Sequence, residues 1–273
     1  IMMIIIGEKL NGAIPVVKKA IEEKDEAFIR DRAIAQAEAG ATYIDVCAGT
    51  APEIELESLK WMMDIVQEAV ETPLCIDSPD PEILKAVFPL CKKPGLVNSV
   101  SGEGNKMDVL LPLFDDADPA WELVAMTCDN AGIPNTVEKK VELTKMMVEE
   151  AKKHNLTPNR IHIDPCVMAL STENHSFLNF KAEIEGIREI YPDIHITSGL
   201  SNISFGLPAR KLMNQNFMTL SMFVGMDSAV MDPTSRDMMG AIFATDALLG
   251  NDRLCRKYSK AFRQGKIGPV QAK

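Results

Sequence analysis

A chain of 273 residues, 46% hydrophobic and 25% charged, is long enough to bury one large core. Its net charge of -10 argues against nucleic acid, which rewards basic surfaces, and equally against an anionic membrane surface. No apolar run approaches the length of a membrane span, and the short apolar stretch before Gly7 is too brief for a secretory signal.

Taken in order along the chain, short β-branched runs recur, each ending in a glycine or a polar residue. They are Met3 to Gly7, Tyr43 to Gly49, Leu74 to Ser78, Leu96 to Ser101, Leu123 to Cys128, Ile161 to Pro165, His195 to Asn202 and Ala229 to Pro233. Helix-period segments lie between them. "AFIRDRAIAQAEAGA" sets Ile29, Ala33 and Ala37 on one face, and "PEIELESLKWMMDIVQEAVE" is apolar at Ile54, Leu59, Met62, Met63 and Val66. "VEKKVELTKMMVEEAKKH" and "NFKAEIEGIREIYP" follow the same rule, while "PARKLMNQNFMTLSMFVG" and "SRDMMGAIFATDALLG" read as buried helices. Strand–helix alternation means crossover units and a parallel sheet. Eight units without a linker predict a single α/β domain over residues 1–273, a (β/α)8 TIM barrel. A doubly wound open sheet usually begins with a Gly-rich phosphate turn, and "IIIGEKLNGAIP" does not match that pattern.

A barrel places its chemistry at the C-terminal ends of its strands. Those ends offer, in order, Glu8 and Asn11, then Asp45, Asp77, Asn98, the group Thr127, Asp129 and Asn130, then Asp164, the group Ser198, Ser201 and Asn202, and Asp232. Helix capping accounts for Asp80, Asp232 and Ser235. It accounts less well for Asp77, Asn98 and Asp164, which follow apolar strand residues where an unpaired polar group is costly. A ring of carboxylates and amides with little cationic character suits a flat heterocycle rich in N–H donors. One carboxylate can accept from the ring N–H and the exocyclic amine of a 2-amino-4-oxo pyrimidine together.

Other chemistries fit less well. No lysine ends strand six or seven, which disfavours a Schiff-base aldolase, and no H-x-H or H-E-x-x-H pattern occurs. Cys47, Cys75, Cys128 and Cys166 fall near strand ends without metal-ligand spacing, so they read as small buried strand residues and no metal site is expected. Six cysteines without a CxxC pair fit a reduced, cytoplasmic setting. His162 shares the inward face of Asp164 and reads as a satisfied interior histidine.

The segments "IGEKLNG", "GATYIDVCAG", "LCIDSPDPEIL", "LVNSVSGE", "IHIDPCV" and "TSGLSNISFGLP" together resemble the pterin-binding barrel of methyltetrahydrofolate:corrinoid protein methyltransferases. The folate domain of cobalamin-dependent methionine synthase belongs to the same group. The resemblance runs from strand one through strand eight. It implies an enzyme of one-carbon metabolism that moves a methyl group between N5 of tetrahydrofolate and the cobalt of a corrinoid. It implies that Asp77, Asn98 and Asp164 hold the pyrimidine edge of the pterin, that Gly199 and Ser201 lie against the ring, and that Asn202 reaches N5. Glu8, Asn11 and Asp45 complete the implied pterin set, and Asn202, Asp77 and Asp164 the implied catalytic set. The chain lacks a D-x-H-x-x-G cobalamin signature, so the corrinoid is expected on a separate partner protein; a homodimer is the family expectation. Two positions depart from the family: Cys47 stands where D-x-N would place asparagine, and Phe205 where glutamine often follows "SNIS". Two other readings compete. A dihydropteroate synthase would want clustered basic residues for a diphosphate; Arg210 and Lys211 lie just past strand seven, but the segment after strand eight offers only Arg236. A folate-binding or corrinoid-protein-docking module without turnover is the third reading.

Overall fold

The structure, a computed structural model, describes residues 3–269. Eight parallel strands run β1 Ile4–Asn11, β2 Tyr43–Cys47, β3 Leu74–Asp77, β4 Leu96–Gly102, β5 Glu122–Asp129, β6 Ile161–Asp164, β7 His195–Ile196 and β8 Ser228–Met231. From β1 to β7 each strand pairs with its sequence neighbour and β1 also pairs with β8, so the order is β7-β6-β5-β4-β3-β2-β1-β8. The last joint, between β7 and β8, is made by few bonds. The Ile196 N–H donates to Asp227 Oδ1 at 2.9 Å, the Val230 N–H donates to the Ser198 carbonyl at 2.9 Å, and Gly199 bridges Val230. The expected (β/α)8 barrel is present.

Ten α-helices surround it among the described residues: α1 Pro15–Glu23, α2 Glu26–Ala39, α3 Pro52–Ala69, α4 Pro81–Val87, α5 Lys106–Leu110, α6 Val137–Lys152, α7 Ser176–Ile190, α8 Arg210–Phe223, α9 Arg236–Leu248 and α10 Arg256–Arg263. Their starts follow local chemistry. Proline opens α1, α3 and α4, where its missing N–H costs nothing. Asp25, Asp80, Thr136 and Ser235 cap α2, α4, α6 and α9 by accepting from Phe28, Glu82, Lys139 and Met238 amides.

Strand alternation sorts residues onto two faces. The outward face (Ile5, Val46, Ile76, Val97, Leu123, Ile163, Ile196) packs with helix residues such as Ile29, Leu59, Met62, Val148, Phe180 and Ile184 into the main core. The inward face gives a second, smaller cluster of Ile6, Tyr43, Cys75, Leu96 and Val124. Polar residues share this interior. Glu122 Oε2 accepts from the Tyr43 hydroxyl at 2.9 Å and from His162 Nε2–H at 2.7 Å. Because the carboxylate only accepts, Nε2 carries the proton, and the Ser228 hydroxyl donates to Nδ1 at 2.9 Å. His162 is therefore a satisfied interior histidine, as the sequence suggests.

The sequence expectations need correction in places. β7 stops at Ile196, not Asn202, because a 3-10 segment from Leu200 to Ser204 follows. β1 continues to Asn11, so Glu8 lies within a strand. Ile54 is 55% exposed although its helix period placed it with the core. Helices α8 and α9 are not wholly buried: Leu212, Leu220, Phe223 and Leu248 face solvent.

Candidate functional site

Lateral register builds the site. Asn11 pairs with Cys47, Cys47 with Asp77, and Asp77 with Asn98. Four neighbouring strands thus bring Asn11, Cys47, Asp77 and Asn98 into one row at the barrel mouth. Asp45 lies one layer deeper, beside Cys75. Its Oδ2 accepts from the Cys75 thiol at 3.2 Å and from Asn98 Nδ2 at 3.4 Å. The Cys47 thiol donates to the Asp77 carboxyl. The two cysteines therefore serve as small donors to carboxylates rather than as a metal cluster. Asn11 spends its side-chain oxygen on the Ala13 N–H at 2.8 Å, closing the turn after β1.

Burial dominates the electrostatics. It raises the Asp77 carboxyl to about 6, with the Cys47 hydrogen bond opposing and the Glu55 charge adding to the rise. Asp45 is pushed well above the ordinary range, first by burial and then by the Asp77 charge. Deeper and drier, Asp45 keeps the proton, and the negative charge of this pair sits on Asp77.

On the far side of the mouth, Asp164 ends β6. Its Oδ1 accepts from the Cys166 N–H at 2.7 Å, and the Gly199 N–H also donates to it. Burial still raises it to about 6. Lys140, in a buried 2.7 Å pair with Glu183, donates to the Pro165 carbonyl at 2.7 Å and braces this turn from outside. Asp164 is thus bonded to Gly199 N–H, at the start of the 3-10 segment that carries Ser201 and Asn202. Asn202 is exposed on the rim. A Cβ built on Gly199 would come within 3.0 Å of Asn202 Nδ2, so glycine makes room for that amide. Beneath it the inward Thr197 hydroxyl is buried without a partner among the described residues.

The third sector is Glu8 beside Asp232. Gly7 pairs with Met231, so the next inward residues on β1 and β8 are these two carboxylates. Burial, then the Asp232 charge, raises Glu8 to about 7. Asp232 pairs with Lys9 at 3.3 Å and also accepts from Thr234, as a turn-capping aspartate should. Arg210 donates to the Ser201 carbonyl at 2.7 Å and to the Ser204 hydroxyl at 3.0 Å, which fixes the 3-10 segment. Arg210 was legible only as a basic residue after strand seven; its grip on Ser201 required the fold.

The nominated residues therefore gather at one mouth in three sectors: Asn11, Asp77 and Asn98 over Asp45; Asp164, Gly199, Ser201 and Asn202; and Glu8. Thr127 is buried, and Asn130 spends its side-chain oxygen on the Gly104 N–H at 2.8 Å.

Residues 16–247 match the family described as pterin binding enzymes. Methionine synthase of Mycobacterium leprae is 28% identical over 239 residues, covering 84% of this chain and 20% of the relative. That of Mycobacterium tuberculosis is 27% identical over the same shares. The chain spans about a fifth of the length of these relatives. Among solved structures, dihydropteroate synthase from Xanthomonas albilineans, in complex with 7,8-dihydropteroate, superposes with a TM-score of 0.67 at 16% identity, covering 91% of this chain and 93% of that one. The same enzyme with 4-aminobenzoic acid gives 0.69 at 18%, over 91% and 93% of the two chains. These structures share the fold. From its match over most of its length, the chain belongs to the pterin binding enzyme family.

Proposed function

We propose that this protein is a methyltransferase that moves a methyl group between N5 of tetrahydrofolate and a corrinoid carried by a separate protein. The observation that carries the reading is the meeting of two half-sites at one mouth: the Asp77–Asn98 row and the Asp164–Gly199–Asn202 turn. Asp77, Asn98 and Asp164 bind the pyrimidine edge. Near neutral pH the carboxylates of Asp77 and Asp164 are ionised and accept from the ring N–H and the exocyclic amine. Asp45 acts through Asn98 by holding its amide, and so fixes which way that side chain faces the ring.

Asn202 donates to N5. The pterin amine is a poor leaving group, and a neutral amide stabilises the charge change there without repelling a protonated amine. Glu8, Asn11, Gly199 and Ser201 line the remaining sides of the pterin. When its partner delivers it, the corrinoid supplies the methyl acceptor or donor. The loops after β5, β6 and β7 expose Ile133, Met168 and Phe205, 46%, 43% and 69% accessible, and this apolar rim suits the flat face of a corrin ring. A homodimer and a cytoplasmic setting complete the proposal.

The dihydropteroate synthase reading shares the fold and the pterin chemistry. It is disfavoured by the cations at the mouth. Lys9 is paired with Asp232 and Arg210 is spent on Ser201 and Ser204. Lys211 is exposed beside them, and one such lysine falls short of a cluster for a diphosphate. Purified protein mixed with methyltetrahydrofolate and a reduced corrinoid protein should methylate the corrinoid, followed by its absorbance. Condensation of a pterin diphosphate with 4-aminobenzoate and no corrinoid methylation would replace this reading with the synthase; pterin binding with neither turnover would leave a docking module.

A further inference from the structure

Glu55 occupies a position where its helix calls for an apolar residue. It stands in the first turn of α3, and the buried face of that helix runs Glu55, Ser58, Leu59 and Met62. The start of a helix favours a negative charge, yet a carboxylate that is 5% exposed is costly without a partner. Its partner is Ser78, itself 3% exposed, whose hydroxyl donates to Glu55 Oε1 at 2.6 Å.

Ser78 follows Asp77 directly and is a joint in the mouth. Its hydroxyl also accepts from the Asp80 N–H at 3.1 Å, and its own N–H donates to the Asn98 carbonyl at 3.3 Å. Asp77 and Asn98 are register partners on β3 and β4. One serine thus ties together the turn after Asp77 and the strand residue Asn98, and Glu55 grips that serine from the helix layer.

We propose that Glu55 is a positioning residue for the pyrimidine edge of the pterin, acting through Ser78 to aim Asp77 and Asn98. This rests on the roles given to Asp77 and Asn98 under the proposed function.

Glu55 acts in two ways that can be separated. Its oxygen holds the Ser78 hydroxyl, and without it that hydroxyl is left buried without an acceptor. Its charge acts on Asp77. The titratable groups in electrostatic contact with Asp77 are Cys47 and Asp45 on β2, Cys75 on β3 and Glu55 on α3. Burial raises the Asp77 carboxyl to about 6, the Cys47 hydrogen bond opposes the rise, and the Glu55 charge adds to it. Removing the charge while keeping the oxygen therefore lowers the pH at which Asp77 takes up its proton. A residue that only filled space under the mouth would have neither effect.

The test measures tetrahydrofolate affinity by calorimetry from neutral to mildly acidic pH, with a thermal melt of each variant to check folding. Glu55→Ala and Ser78→Ala should each weaken binding about tenfold or more at neutral pH, as loss of a hydrogen bond to a charged group does. Combining them should cost little beyond either alone, because both break one contact. Glu55→Gln keeps an acceptor for Ser78 and should recover most of the affinity at neutral pH. Its binding should persist to lower pH than that of the wild type. Wild-type affinity in folded Glu55→Ala, additive losses in the double variant, or Glu55→Gln as weak as Glu55→Ala overturns the positioning role. Glu55→Gln is nearly isosteric and carries the test if the alanine variants do not fold. The second readout needs no ligand: the Asp77 carboxyl carbon, titrated by nuclear magnetic resonance in the free protein, should change at lower pH in Glu55→Gln. An unshifted titration overturns the action of Glu55 on Asp77. A wild type that binds no tetrahydrofolate defeats the proposed function, while this titration still decides whether Glu55 acts on Asp77.

Discussion

Asn98 and Asp45 are joined across an intervening strand: the Asn98 amide on β4 donates to Asp45 Oδ2 on β2, while Cys75 on β3 donates to the same oxygen. One buried carboxyl oxygen thus ties three strands together under the mouth. Asp45→Ala leaves an amide and a thiol without their acceptor. Stability is expected to fall by about 1–3 kcal/mol in urea denaturation, and tetrahydrofolate affinity is expected to fall with it because Asn98 loses its orientation. Unchanged affinity in a folded variant would make Asp45 a structural group only.

Asp164→Ala is expected to abolish most tetrahydrofolate binding while the barrel still folds. The segments on either side of it are held by other bonds, the Pro165 carbonyl by Lys140 and the Ser201 carbonyl by Arg210. Calorimetry beside a thermal melt separates the two effects. Wild-type affinity would refute the assigned pocket.

Asn202→Ala is expected to slow the transfer step about a hundredfold or more, as loss of one preorganised donor does, with a smaller effect on affinity. Single-turnover kinetics with saturating pterin and corrinoid protein are the informative measurement, because steady state can hide chemistry behind release.

Gly199→Ala tests the same amide from the other side. The added methyl meets Asn202 Nδ2 at 3.0 Å, and the backbone at Gly199, φ -65°, is open to alanine. The rate is expected to fall toward that of Asn202→Ala with the melting temperature little changed. A variant with the wild-type rate would show that Asn202 does not need its present position.

The raised carboxyls set a pH dependence with a defined sign. Asp77 and Asp164 rise from 3.8 to about 6, and Glu8 from 4.5 to about 7. The folded state therefore holds protons that the unfolded chain has released. Their stabilisation is complete below the unfolded values and is lost as pH rises through the folded ones. Glu8→Gln should raise the stability of the unliganded protein at pH 7.5 relative to wild type, by on the order of 2 kcal/mol, and leave pH 4 nearly unchanged. Melting curves across this range check it; a uniform offset at all pH values would show that the charge on Glu8 is not what is costly. Tetrahydrofolate affinity should move oppositely, falling as pH drops through about 6 and Asp77 and Asp164 protonate.

The eight strands and the inward face of Asp77, Asn98 and Asp164 were legible because alternation of period two states which side chains share a face. Partnership was not. The Tyr43–Glu122–His162–Ser228 chain joins residues 40 to 79 positions apart, and no local pattern encodes that. The brevity of β7 was hidden for a related reason: His195 to Ser198 carries strand-like residues, but its pairing is cut short where Asp227 substitutes a side-chain oxygen for a neighbouring carbonyl. The exposure of Leu212, Leu220 and Phe223 on α8 was equally unreadable, since apolar spacing names a stripe without naming what covers it.

The short β7 also makes the barrel uneven in its breathing. Seven joints are strand ladders, two of them with register shifts, and the eighth rests on a carboxylate and a few backbone bonds between Ile196 and Val230. Amides there should exchange with solvent long before those of β2 to β5, since opening needs few bonds to break. Gly199 and Asn202 hang from that same joint. Under the proposed function this loosest wall is the one that carries Asn202 toward N5, and a planar ligand is expected to enter and leave there while the acceptors on the opposite wall keep their positions.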